Sequence, residues 1–132
     1  MSTLVVVDAA NVIGSVPDGW WRDRRAAAER LRDALAGRAA DGPGLPGLVP
    51  GGPPVELVLV VEGAARGVAS VPGVEVVAAP GSGDDRIVEL VREADRGPDC
   101  VVVTADRGLR ARVAALGAQV AGPRAVRPGR GG

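Results

Sequence analysis

Thr3-Leu4-Val5-Val6-Val7, closed by Asp8, is the stretch whose reading decides the fold. Its valines are stiff at χ1 and suit a pleated surface, so the run predicts a β-strand. A strand buried on one face alternates apolar and polar residues, whereas a continuous apolar run marks one covered on both faces, as in a parallel sheet between helices. Comparable runs recur at Val55 to Val61, Val74 to Ala78 and Cys100 to Val103, with a weaker one at Ala118 to Ala121.

Longer amphipathic segments separate these runs. Trp20 to Ala39 carries Trp20, Ala27, Leu31, Ala34 and Leu35 near helical spacing, with Asp18 as a candidate cap. Asp84 to Arg96 sets Ile87, Leu90, Val91 and Ala94 on one helical face, and Asp106 to Leu116 repeats the pattern before Gly117. Strands alternating with helices predict an α/β fold: one three-layer α/β/α domain over residues 1–122, around a mostly parallel sheet of four or five strands. Residues 41–54 hold five glycines and five prolines, which neither a helix nor a central strand tolerates, and read as a surface loop. The Pro/Gly/Arg-rich stretch 123–132 reads as a disordered tail.

The 132 residues are 46% hydrophobic, nearly all Val, Ala and Leu, with Trp20 and Trp21 the only aromatics. Sixteen basic residues balance sixteen acidic ones, which excludes the global positive field of a strong non-specific DNA binder. Every basic residue is Arg, so no Schiff base, phosphate-loop lysine or lysine general base is available. Cys100, the single cysteine, lies within an apolar run and reads as inert packing; the chain can form no internal disulfide, and a cytoplasmic setting is expected. No apolar stretch approaches the roughly 20 residues of a membrane span, so no membrane role is expected.

The functional signal is where the acids fall. Asp8 ends the first predicted strand, Glu62 the second, Asp84 and Asp85 follow the third across Gly81-Ser82-Gly83, and Asp106 follows the fourth. Ligands of open α/β sheets bind at that carboxyl edge. Gathered carboxylates repel, and a divalent cation relieves the repulsion. All-oxygen ligands in a chain without His point to Mg²⁺ or Mn²⁺ rather than zinc. Such a cation lowers the pKa of a bound water and stabilises charge on a phosphoryl group, which is phosphodiester hydrolysis chemistry. Structural roles compete for the same residues: Ser82-Gly83-Asp84-Asp85 has the form of a capping box, Asp106 suits a helix N-cap, and Glu62 suits a turn.

Three motifs carry a family resemblance. Asp8-Ala9-Ala10-Asn11-Val12-Ile13, Ser82-Gly83-Asp84-Asp85-Arg86-Ile87 and Val103-Thr104-Ala105-Asp106-Arg107-Gly108-Leu109 resemble, in order, the three motifs of NYN domains, a branch of the PIN-like ribonuclease superfamily. The resemblance implies a PIN-like fold and a metal-dependent endoribonuclease with Asp8, Asp84, Asp85 and Asp106 as ligands. It also implies that Asn11 orients a ligand or the scissile phosphate and that Thr104 supports the site. Ala105 stands where the family usually has Ser, and Glu62 where it often has Asp. On this reading the substrate is RNA, single-stranded, with Arg86 and Arg107 as candidate phosphate contacts. Arg22, Arg24 and Arg25 are candidates to line its path or simply a charged helix face, and of Trp20 and Trp21, candidates to stack on a base, at least one is expected to pack in the core. A homodimer or a protein partner would supply surface that so small a domain lacks.

Two other functions use the same residues: a nucleoside triphosphate pyrophosphohydrolase, and an inactive RNA- or protein-binding module. Two α/β alternatives lose ground. A phosphoacceptor receiver resembles this acid pattern but needs a lysine after its last strand. A dinucleotide fold needs its glycine triplet after the first strand, whereas Gly81-Ser82-Gly83 follows the third.

Overall fold

A computed structural model of the chain describes residues 3–14, 23–40, 55–123 and 126. The Pro/Gly-rich stretch 41–54, Asp18, Trp20, Trp21 and Arg22 lie outside the described residues. Five parallel strands form one sheet: β1 (Thr3–Asp8), β2 (Val55–Val61), β3 (Val74–Ala78), β4 (Cys100–Val103) and β5 (Gln119–Ala121). Their order is β3-β2-β1-β4-β5, which makes β1 the central strand. The chain builds outward from β1 to one side through β2 and β3, then crosses over to add β4 and β5 on the other. The reversal point lies between β1 and β4, where doubly wound sheets open a crevice at their carboxyl edge.

Four α-helices cover the sheet among the described residues: α1 (Ala9–Gly14), α2 (Arg24–Ala40), α3 (Gly83–Ala94) and α4 (Arg107–Ala114). Side chains alternate across each strand, so one core layer takes Val5, Val7, Leu57, Leu59, Val61, Val101 and Val103. Val12 of α1 and Ala28, Leu31 and Leu35 of α2 pack on it. The opposite layer takes Leu4, Val6, Val58, Val60, Cys100 and Val102 against Ile87, Val88 and Val91 of α3 and Leu109 and Val113 of α4. Both faces are dry, which is why the strands lack alternation. Fully burying a side chain such as Leu35, Leu59 or Ile87 contributes roughly 1.5–3 kcal/mol. Burial pushes the Cys100 thiol up to about 11, in keeping with a packing role.

Local signals set the helix ends. Asp23 caps α2, its Oδ1 accepting from the Ala26 amide at 3.0 Å. Gly117, at φ +90, closes α4: its amide donates to Ala114 and that of Ala118 to Val113, the paired bonds of a left-handed helix stop. Helix α1, directly after β1, was not expected; six residues opening Ala-Ala show no helical period. Of the stretch 123–132, residues 124–125 and 127–132 lie outside the described residues, and Val126 is fully buried in the α1/α2 core layer. No described helix is long and apolar enough to cross a membrane.

Candidate active site

Strand parity decides which acids meet. Leu4 and Val6, Val58 and Val60, and Cys100 and Val102 all face α3 and α4. Two residues further along each strand, the same parity falls on Asp8, Glu62 and Thr104. All three therefore project beyond the core on the side where α3 begins.

Asp8 is 6% exposed and Thr104 fully buried. The Thr104 hydroxyl donates to Asp8 Oδ2 at 3.0 Å and accepts from the Asp106 amide at 3.1 Å. Asp8 Oδ1 accepts a longer bond, 3.4 Å, from the Asn11 amide, one turn into α1. The Asn11 side-chain carbonyl accepts from the Ala105 amide at 2.8 Å and ties α1 to the loop after β4, so the NH₂ end of that side chain is what remains for a ligand. Asp106 caps α4, Oδ1 accepting from the Leu109 amide at 2.9 Å. Cap and ligand are compatible roles, because a carboxylate has a second oxygen.

On the other side of Asp8, Ser82 caps α3 by accepting from the amides of Asp84 and Asp85. Glu62 Oε2 accepts from the Gly83 amide and clasps the first turn of α3 to the end of β2. A Cβ at residue 83 would lie 2.8 Å from that oxygen, so a side chain here would displace the Glu62 carboxylate from its bond. Asp84 is half-buried. Asp85, one residue and about 100° further round the helix, is turned to α4, where it accepts from Arg112 Nη2 at 3.2 Å. Arg86 lies along α3, paired with Glu89 at 3.0 Å and with Glu93 at 4.0 Å, and Arg107 is exposed at the start of α4.

Electrostatics couples the gathered acids. Burial pushes the Asp8 carboxyl up to about 6; the bonds from Thr104 and Asn11 oppose the shift, and the charges of Asp84 and Glu62 add to it. Asp84 is also raised, first by burial and then by Asp106 and Glu62, with Arg112 opposing. Asp8, Glu62, Asp84 and Asp106 thus share one field, while Asp85 is a minor contributor at the rim beside Arg112. Sequence reasoning missed Arg112, and also Arg110, whose Nε donates to the Thr104 carbonyl at 2.8 Å. Arg110 stands one helical turn beyond Asp106, a spacing that offered the signal.

Among the described residues, no group of three or more acids is placed to hold a metal ion together. Mg²⁺ ordinarily keeps several waters and takes one or two carboxylates. An all-oxygen set with two carboxyls raised by burial and mutual repulsion fits a hydrated cation of that kind. A cleft of about 590 Å³ opens beside the acids, with Glu62 and Asp84 on its wall.

Neither a family model nor a curated protein matches the sequence. Among solved structures, the chain is similar to Rae1 (YacP) from Bacillus subtilis, at a TM-score of 0.68 and 20% identity, over 92% of this chain and 70% of that one. The W164L mutant of Rae1 gives a TM-score of 0.69 at 18% identity, over 94% of this chain and 72% of that one. The chain therefore shares with Rae1 a single-sheet, parallel α/β fold.

Proposed function

We propose that the chain is a Mg²⁺- or Mn²⁺-dependent endoribonuclease of the NYN kind, acting in the cytoplasm on single-stranded RNA. The observation that carries this reading is the buried Asp8 carboxylate, oriented by Thr104 from the neighbouring strand and pressed by the charges of Asp84 and Glu62. An acid so placed is stabilised by a cation, and the shared fold and the three motifs support the same chemistry. When bound, the cation supplies an activated water and stabilises charge on the phosphoryl oxygens. Asp8 and Asp84 would hold it, and Asp106, capping α4, adds its charge beside Asp84. Thr104 keeps Asp8 in one orientation. The Asn11 NH₂ group donates to the scissile phosphate. Asp85, paired with Arg112, shapes the rim.

The test is Mn²⁺-dependent cleavage of labelled single-stranded RNA by the native chain beside Asp8→Asn and Asp106→Asn. Loss of cleavage in both variants is the expected result. Equal activity in all three, or pyrophosphate release from nucleoside triphosphates with RNA left intact, would overturn the proposal.

A further inference from the structure

The cleft beside the acids has walls of two kinds. Ala9, Ala10 and Ile13 of α1 and Ala65 after β2 make one side apolar. The Ala10 methyl is exposed and the Ile13 side chain only partly buried, so these two offer an apolar surface that a flat ring can approach. Glu62, Ser82, Asp84 and Arg24 supply its polar lining. Ionised carboxylates only accept hydrogen bonds, so Glu62 and Asp84, two charges against the one of Arg24, disfavour a phosphate and favour an uncharged group with N–H donors. The Ser82 oxygen is committed to the amides of α3, and its hydroxyl proton remains to donate. The volume, about 590 Å³, falls within the range typical of small-molecule sites.

Position narrows the occupant further. Glu62 and Asp84 belong both to this cleft and to the acid group, and Ala9 follows Asp8 directly. Whatever fills the cleft sits within one nucleotide of a phosphate held at the acids. An uncharged, flat, donor-bearing group at that distance is a nucleobase, and only an unpaired strand can offer one unstacked. We infer that the cleft between α1 and the start of α3 is a nucleobase subsite, which takes one unpaired base of the substrate strand beside the scissile phosphate. This inference rests on the ribonuclease reading for its substrate. Its geometry gives it a readout independent of cleavage.

The experiment is amide NMR of the full chain titrated with adenosine 5′-monophosphate and, separately, with ribose 5-phosphate. The nucleotide should move the amides of Ala10, Ile13, Ala65 and Ser82 saturably, and ribose 5-phosphate should bind at least about tenfold more weakly. Ala10→Trp, at an exposed position of α1, should fill the cleft and weaken nucleotide binding about tenfold, its own spectrum verifying the fold. Equal binding of the two probes, shifts centred elsewhere, no shifts at millimolar nucleotide, or undiminished binding by a folded Ala10→Trp would each overturn the subsite. Mn²⁺-dependent hydrolysis of bis(4-nitrophenyl) phosphate, which carries no base, separates the two claims. Hydrolysis without nucleotide binding removes the subsite and keeps the active site; nucleotide binding without hydrolysis keeps the subsite and removes the ribonuclease.

Discussion

The Thr104 hydroxyl donates to Asp8 Oδ2 across 3.0 Å, joining the ends of two adjacent strands from positions 96 residues apart in the chain. Replacing it by Val leaves a buried carboxylate without its best donor. Thr104→Val is expected to cost about 1–3 kcal/mol in urea unfolding at pH 8, while Thr104→Ser, which keeps the hydroxyl, costs less. A Val variant as stable as the native chain would show that this bond does not hold Asp8.

Asp8 also sets a pH dependence. Its folded carboxyl titrates near 6, against an ordinary value of 3.8. Between these values the folded state binds the proton that the unfolded state has lost, so stability falls as pH rises through that window. The loss is on the order of 2–3 kcal/mol and is complete above pH 6. In metal-free buffer Asp8→Asn should therefore melt higher than the native chain at pH 8, and the gap should shrink towards pH 4. A gap independent of pH would exclude this account. Adding Mn²⁺ should raise the melting temperature of the native chain and leave that of Asp8→Asn nearly unchanged.

Asp84 and Asp85 should separate sharply although they are neighbours. Asp84→Asn is expected to reduce RNA cleavage by more than about a hundredfold, beyond the effect typical of groups that only orient a ligand. Asp85→Asn breaks an ion pair whose side chains are 72% and 47% exposed, and should lower activity less than about tenfold with little change in stability. Comparable losses in both variants, measured as kcat/KM, would place Asp85 in the site as well.

The Glu62 clasp predicts a non-additive pair. Gly83→Ala puts a methyl group against Glu62 Oε2, displaces that carboxylate and should cost about 0.5–1.5 kcal/mol, the worth of the bond lost. In a Glu62→Ala background the same change should cost much less, because the clash is gone. Denaturation of the two single variants and the double variant measures the coupling.

The strands were legible because a sheet covered on both faces leaves an unmistakable trace: Val55 to Val61, Val74 to Ala78 and Cys100 to Val103 carry the bounds that the apolar runs set. Helix α1 was not, since six residues cannot display a period. Placing Asp8, Asp84 and Asp106 at one edge followed from strand ends alone. Distinguishing Asp84 from Asp85 did not, because adjacent residues of a helix diverge and only the packing of Ile87, Val88 and Val91 decides which one faces the cleft. The bond of Glu62 to the Gly83 amide was equally hidden: it depends on how α3 lies across β2, and no local pattern in the sequence encodes that.

The central place of β1 has a consequence for how the molecule comes into being. During synthesis, β1, β2 and β3 leave the ribosome first and can pair in sheet order, yet β1 then carries a bare edge on the side that β4 later occupies. Asp8 acquires its hydroxyl partner, and Asp106 arrives, only when that edge is closed. A nascent or truncated chain that stops before residue 100 thus holds Asp8, Glu62 and Asp84 without Asp106 and without the hydroxyl that orients Asp8, so any hydrolytic competence is deferred until β4 and its following loop are in place.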